Sequence, residues 1–345
     1  MKKSIVQLLL FSSFLFSTSV SAAIEETEQV SQFVNKMVKT YQFDEDELKQ
    51  LFQAVDIKPN IIKTMSRPAE GTMSWYQYRK IFLGDKRIRA GVTFWKDNES
   101  TFSAVQEKYG VPAEIITAII GVETLYGKQT GGHRIIDALS TLAFAYPKRS
   151  KFFTKELEHF LILCREQKMN PLHPTGSYAG AMGIPQFMPS SYRAYSADFE
   201  EDEKSDIWNN PADAIASVAN YFMIHNWKKG EGVAFLVKTE GEKYKTALSK
   251  GLKPDMKWAD LQAMGVSAEQ SIPADAEVKL LAFQQEKSEE LWVGLNNFYA
   301  ITRYNHSPLY AMAVYQLSQQ IYKAKQKDNA ALIIKDVEQA QANQL

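Results

Sequence analysis

Apolar residues recur at helical spacing along most of this chain. Val30, Phe33, Val34, Met37, Val38 and Tyr41 follow the i, i+3, i+4, i+7 pattern of one helix face. Asp44, with Glu47 three residues on, resembles a capping box that opens a second helix. Residues 27–60 therefore read as helices. The pattern is mixed between 65 and 100, where "WYQYRKIF" and "GVTFW" read as short aromatic or strand-like pieces. Helical spacing dominates again from Ser103 to Trp227. From Gly230 to about Lys287 the character changes: "VAFLV" (Val233–Val237) and "VKLLAF" (Val278–Phe283) read as strands, separated by Gly, Pro and charged residues. That stretch is expected to be a small mixed insertion. A helix follows "NHSPLY", with Pro308 near its first turn and apolar Ala311, Val314, Tyr315 and Leu317. The closing "DNAALIIKDVEQAQANQL" reads as a polar helix or a frayed tail. There is no internal repeat.

The N-terminus, "MKKSIVQLLLFSSFLFSTSVSAAIEE", has two lysines, an apolar stretch and a small-residue site. With Val20 two residues before it, cleavage after Ala22 fits a secretory signal peptide. A membrane anchor fits less well, because the apolar run is short and broken by serines. No cysteine lies near the site, so lipid attachment is not expected. The mature protein is expected to be soluble and exported.

The 345 residues are enough for a sizeable core and two or three subdomains. Lys+Arg and Asp+Glu number 40 each, which removes the electrostatic reason to expect nucleic acid or an acidic membrane surface as partner. Sixteen Tyr and six Trp suit a carbohydrate cleft, although cores use them too. The one cysteine, Cys164, excludes an intramolecular disulfide. Among the apolar residues of "LEHFLILCREQ" it reads as a buried thiol.

One carboxylate changes this picture. In "AIIGVETLYGKQTGG", helical spacing places Ile116, Ile119, Ile120 and Glu123 on one stripe. The helix is expected to start at Pro112, to run to about Tyr126 and to be capped by Gly127. Glu123 thus extends an apolar face near the negative end of a helix dipole. Both effects disfavour the charged form and suit a general acid. A buried Glu paired with Arg or Lys is the structural alternative. A second stretch, "GSYAGAMGIPQFMPSSY" (Gly176–Tyr192), is uncharged and rich in Gly and Pro, so it reads as a loop leading into a helix near Pro189. Its small residues would let a ligand approach the backbone. Ser177, Gln186 and Phe187 there offer a hydroxyl, an amide and a ring.

Together "GVETLYG", the Gly-rich loop, "DAIASVANYF" and "NNFYAITRYNHSPLYAMAVYQL" resemble the lytic murein transglycosylases of the B type, over about residues 27–325. The resemblance implies an α+β, mainly α fold. A lysozyme-like catalytic core (101–230 and 288–325) would follow a signal peptide (1–22) and an N-terminal mainly helical subdomain (23–100). The core would be interrupted by the insertion (231–287) and followed by a polar tail (326–345). It implies that Glu123 protonates the glycosidic oxygen between N-acetylmuramic acid and N-acetylglucosamine, then takes the proton of the muramic C6 hydroxyl as that oxygen closes a 1,6-anhydro ring. It also implies sugar contacts at Tyr78, Ser177, Gln186, Phe187, Tyr221, Tyr304, Asn305 and Tyr310. Arg149 would be a cleft cation for peptide or lactyl carboxylates. Lys148, beside it, stands where the family often has arginine, so a bidentate contact is not expected from it. Peptidoglycan strands would be the substrate, the periplasm the location, and cell-wall synthesis or division proteins would be partners. An internal nucleophile needs no carboxylate to activate water. Sequence alone leaves Asp137 and Glu156 as candidates for a second carboxylate.

"DFEEDEKSDIWNNPAD" (Asp198–Asp213) has acidic residues at positions 1, 3 and 5 of an EF-hand-like loop. By the same resemblance Asp198, Glu200, Asp202 and Asp213 would form a weak structural calcium site with no part in the chemistry, the alternative being a solvated acidic loop. Glu203 replaces the usual sixth-position Gly, and Asn209 occupies position 12. There is no H-E-x-x-H, Cys cluster, phosphate loop or G-x-S-x-G. A hydrolytic muramidase and a non-catalytic peptidoglycan-binding protein remain as alternative readings.

Overall fold

A computed structural model describes residues 22–23, 27–66 and 73–342. Apart from Ala22, the expected signal peptide lies outside the described residues. β1 (Ala22–Ala23) pairs antiparallel with β2 (Asp56–Ile57). Between them stand α1 (Glu28–Tyr41), capped by Thr27, and α2 (Glu45–Gln53), whose N-cap Asp44 accepts from the Glu47 N–H at 2.8 Å. α3 (Pro59–Met65) follows.

The aromatic pieces expected to be strand-like are helices. They are α4 (Trp75–Phe82) and α5 (Asp85–Asp97). Ser74 and Gln77 cap α4 reciprocally. Capping outweighed the local β preference of Trp, Tyr and Phe, which is mainly a preference for a half-buried surface. α6 (Glu99–Tyr109) ends on left-handed Gly110.

α7 (Ala113–Thr124) is the central helix. Ile115, Ile116, Ala118, Ile119 and Ile120 are buried on nearly every side, which no amphipathic surface helix would be. It ends two residues earlier than the sequence suggested. Leu125 (φ 50°), Tyr126 (φ 61°) and Gly127 (φ 81°) are all left-handed, so the chain turns sharply just after Glu123. β3 (His133–Arg134) then leads into α8 (Ile135–Phe144). A 3-10 turn, Pro147–Arg149, opens α9 (Ser150–Glu166). β4 (Thr175–Gly176), paired with β3, begins the Gly-rich loop, which delivers α10 (Pro189–Tyr195). α11 (Pro211–Ile224) completes this part of the core.

A five-stranded antiparallel sheet follows, in the order β6-β8-β9-β5-β7. Its strands are β5 (Ala234–Thr239), β6 (Met256–Lys257), β7 (Val266–Ala268), β8 (Glu277–Gln284) and β9 (Glu289–Gly294), with α12 (Trp258–Ala263) before β7. β9 pairs with β8 and with β5, so the sheet extends past the boundary expected at 287 and closes only at Gly294. The chain returns through α13 (Asn296–Tyr304) and α14 (Pro308–Ala342). Ala311, Val314 and Leu317 of α14 are fully buried where it crosses α7. What read as a separate polar tail continues this same helix to Ala342.

Candidate active site

Glu123 sits half-buried in the last turn of α7, continuing the stripe of fully buried Ile116, Ile119 and Ile120. The Tyr310 hydroxyl donates to its Oε1 at 2.6 Å. Tyr310 stands in the first turn of α14, where Pro308 starts the helix. Crossing of α14 over α7 therefore fixes the pair. Donation by a phenol favours the charged carboxylate, opposing the effect expected from the apolar stripe. Burial first, and then the Glu123 charge, hold the hydroxyls of Tyr310 and Tyr304 well above the usual phenol range. Both stay protonated, and each donates, Tyr310 to Glu123 and Tyr304 to the Pro185 carbonyl. Tyr78, buried on α4, also acts electrostatically on Tyr310.

Local bonds tie the turn after Glu123 to the Gly-rich loop. The Thr124 hydroxyl donates to the Ile184 carbonyl at 2.8 Å and accepts from the Gly127 N–H at 3.0 Å. The loop is pleated on itself, with Met182 and Phe187 exchanging backbone bonds at 2.8 and 3.1 Å. A Cβ at Gly183 (φ 63°) would lie 2.5 Å from the Ile207 carbonyl oxygen, so glycine is needed there on two counts. Gln186 (φ 53°) donates its amide to Gly183 O at 2.8 Å and to Thr130 O at 3.1 Å, bridging the loop to the segment after α7.

Six of the residues marked by sequence line one cavity of about 600 Å³: Arg149, Gln186, Phe187, Tyr221, Tyr304 and Asn305. Phe187, Tyr221 and Tyr304 pack ring against ring, with centroids 4.8–5.9 Å apart. Their polar ends are engaged: Tyr221 donates to Arg303 O at 2.6 Å and Tyr304 to Pro185 O at 2.5 Å. Arg149 is exposed and stacks over Phe152 at 4.5 Å. Ser177 is turned to its own loop, its Oγ accepting from the Ala179 and Ala181 N–H groups. Glu123, Tyr310 and Tyr78 form a second group. Tyr304 links the two, since it lines the cavity and feels the Glu123 charge.

Neither candidate for a second carboxylate serves the site. Asp137 is buried and gripped by Arg134 at 2.7 and 2.8 Å, and it accepts the Asp56 N–H. Glu156 accepts the Ser190 N–H at 2.9 Å and its hydroxyl at 2.7 Å, capping α10. Thr124 was not singled out from sequence. The only signal was a polar side chain beside the glutamate at a position that helical spacing buries.

The acidic loop does not gather its carboxylates. Asp198 accepts from the Asp202 and Glu203 N–H groups, Asp202 from Lys204, Asp213 from Phe199 and Asp206, and Glu200 from the Asn210 amide. Burial, and then the charges of Asp198 and Asp202, push Asp213 above the usual aspartate range despite its two N–H bonds. Among the described residues no group of three His, Cys, Asp or Glu side chains is arranged to hold a metal. A calcium ion takes about six to eight oxygens, so one held here would draw on backbone carbonyls and water as well as these carboxylates.

Comparison with known proteins gives the family and the fold. The profile of the "Transglycosylase SLT domain" family matches residues 25–319. The membrane-bound lytic murein transglycosylase B of Escherichia coli K12 is 40% identical over 303 residues, covering 85% of this chain and 82% of that protein. Soluble lytic transglycosylase SltB1 of Pseudomonas aeruginosa superposes with a TM-score of 0.83 at 49% identity, over 86% of this chain and 99% of that one. SltB3 of the same organism, solved with NAG-anhNAM-pentapeptide, gives 0.75 at 27% identity over 86% and 80%. No helix among the described residues is long and apolar enough to cross a membrane. The chain belongs to the transglycosylase SLT family: it is a lytic transglycosylase that acts on the glycan strands of peptidoglycan.

Proposed function

We propose that this enzyme cleaves the β-1,4 bond between N-acetylmuramic acid and N-acetylglucosamine without water, with Glu123 as acid and then base. Protonated Glu123 gives its proton to the glycosidic oxygen as the C1–O bond breaks. The resulting carboxylate accepts the Tyr310 O–H bond and takes the proton of the C6 hydroxyl as O6 closes on C1. Glu123 ends protonated, and the product carries a 1,6-anhydro ring. The observation that carries this reading is one carboxylate against a buried phenol, while Asp137 and Glu156 are spent on structure. A hydrolase of this chemistry uses a second carboxylate to activate water. A relative's structure with an anhydro product supports the same outcome.

Ser177, Gln186, Phe187, Tyr221, Tyr304, Asn305 and Tyr78 shape the groove by their rings and backbone more than by free hydroxyls. Arg149, exposed at its rim, suits the carboxylates of the peptide stem. We place the enzyme in the periplasm, on the leader-like N-terminus.

Mass spectrometry of products from purified peptidoglycan tests the proposal. Muropeptides lighter by one water than the reducing forms are expected, and reducing ends would overturn it. Glu123→Gln is expected to abolish release while retaining glycan binding; residual cleavage at the parent rate would remove Glu123 from the role.

Calcium has no part in this scheme. E. coli Slt35 has been solved with calcium; the loop carboxylates here keep lone pairs beyond those that accept N–H groups, and an ion held there would be structural. EDTA is expected to leave the rate of muropeptide release unchanged, and a loss restored by Ca²⁺ would contradict this.

A further inference from the structure

The sharp turn that follows Glu123 is held from behind, by a helix that takes no part in the groove. Leu125 and Tyr126 are consecutive non-glycine residues with left-handed backbones, a conformation that persists only where the surroundings impose it. The imposing group is a slot between α5 and α7. The Tyr126 ring, 8% exposed, lies against Gly91 of α5 and Gly121 of α7; a Cβ on either glycine would stand 2.6 Å from its hydroxyl oxygen. That hydroxyl donates to the Arg87 carbonyl at 2.9 Å. The Arg87 guanidinium, half-buried in the first turn of α5 and spread over Phe82, donates in turn to the carbonyl of Gly121, two residues before Glu123. Arg87 is in no ion pair with a carboxylate among the described residues. Its charge therefore rests on the negative end of α7, in the same turn as the acid.

We propose that Arg87 and Tyr126 are positioning residues for Glu123, fixing the last turn of α7 so that the carboxyl stays set for proton transfer. The proposal rests on Glu123 being the acid. The two residues act through the backbone of Gly121 and the turn at 125–127, without touching substrate. A misplacement of the acid lowers kcat and leaves binding largely intact.

The test uses the full mature enzyme and soluble, uncross-linked peptidoglycan strands, with circular dichroism and melting as folding controls. Arg87→Ala is expected to lower kcat about 10- to 100-fold with KM unchanged. Arg87→Lys, which keeps a donor for the Gly121 carbonyl and loses the fork, is expected to restore part of kcat. Tyr126→Phe, which keeps the ring in its slot, is expected to lower kcat several-fold. If Arg87→Ala does not fold, Tyr126→Phe and Arg87→Lys decide. Parent kcat in both folded variants, or a loss confined to KM, would overturn the proposal. Glu123→Gln run alongside separates the failures: persistent cleavage there indicts the acid, whereas an inactive Glu123→Gln with a normal Arg87→Ala indicts the positioning alone.

Discussion

The Tyr310 phenol binds the Glu123 carboxylate directly. The Tyr310 bond lies within the 2.5–2.7 Å range of a charge-assisted O–H···O contact. Hydrogen bonds to charged groups are worth about 1.5–3 kcal/mol, but only the part that strengthens when the carboxylate forms contributes to rate. Tyr310→Phe keeps the buried ring. It is expected to cost about tenfold in kcat, with the melting temperature close to that of the parent; an unchanged kcat would detach Tyr310 from the chemistry. Glu123 itself was legible in the sequence because a lone charge broke an isoleucine stripe. Tyr310 entered through the family likeness alone, since a tyrosine on a helix face matches any core aromatic. Arg87 and Tyr126 left no mark that spacing could reveal, because their contacts join residues 87, 121 and 126 through backbone atoms.

The Gly-rich loop is the element that turns packing into a site. Its Gly183 is constrained in a way that the left-handed Gly241, beyond β5, is not. Gly183 combines a left-handed backbone with a carbonyl where a Cβ would lie, whereas Gly241 (φ 72°) has nothing within 4 Å. Gly241→Ala is expected to cost about 1–2 kcal/mol from the backbone alone. Gly183→Ala adds displacement of Ile207 and should also weaken activity through Gln186, read as melting temperature and muropeptide release on the two variants. Equal losses would mean that the close approach is tolerated. α1 was legible because its 3.6-residue period survives, whereas α7, buried on nearly every side, was marked by Pro112 and Gly127 near its ends. α4 reads as strand-like from its aromatic run because the N-cap Ser74 stands just before that run and its reciprocal partner Gln77 is embedded among the rings. The acidic loop resembled an EF-hand in sequence, yet its carboxylates cap their own backbone. Composition specifies acidity, and backbone conformation decides what the oxygens face.

Across the whole molecule the sheet supports the groove from a distance. Trp75, at the start of α4, packs edge-on against Phe283 of β8 at 5.7 Å, and the same helix carries Tyr78 toward Tyr310. Phe283→Ala opens a cavity in a fully buried contact and is expected to cost about 3–5 kcal/mol. It should also lower kcat by loosening α4. Leu236→Ser, half-exposed on β5, should change neither, and a stable, fully active Phe283→Ala enzyme would uncouple the sheet from the site. The register of that sheet was beyond periodicity, since β9 reads as a polar and aromatic run until its two partners are known. The lone thiol has its own consequence at this scale. Cys164 is buried, and burial alone pushes it up to about 12, so at pH 8 it offers no thiolate to an electrophile. The native chain is thus silent to maleimides without any substitution. Cysteines placed at the exposed Tyr178 on the Gly-rich loop and Ile81 on α4 would take spin labels selectively. The distance between the labels, with and without bound glycan, would report in solution how far the loop and the opposite wall approach each other during turnover.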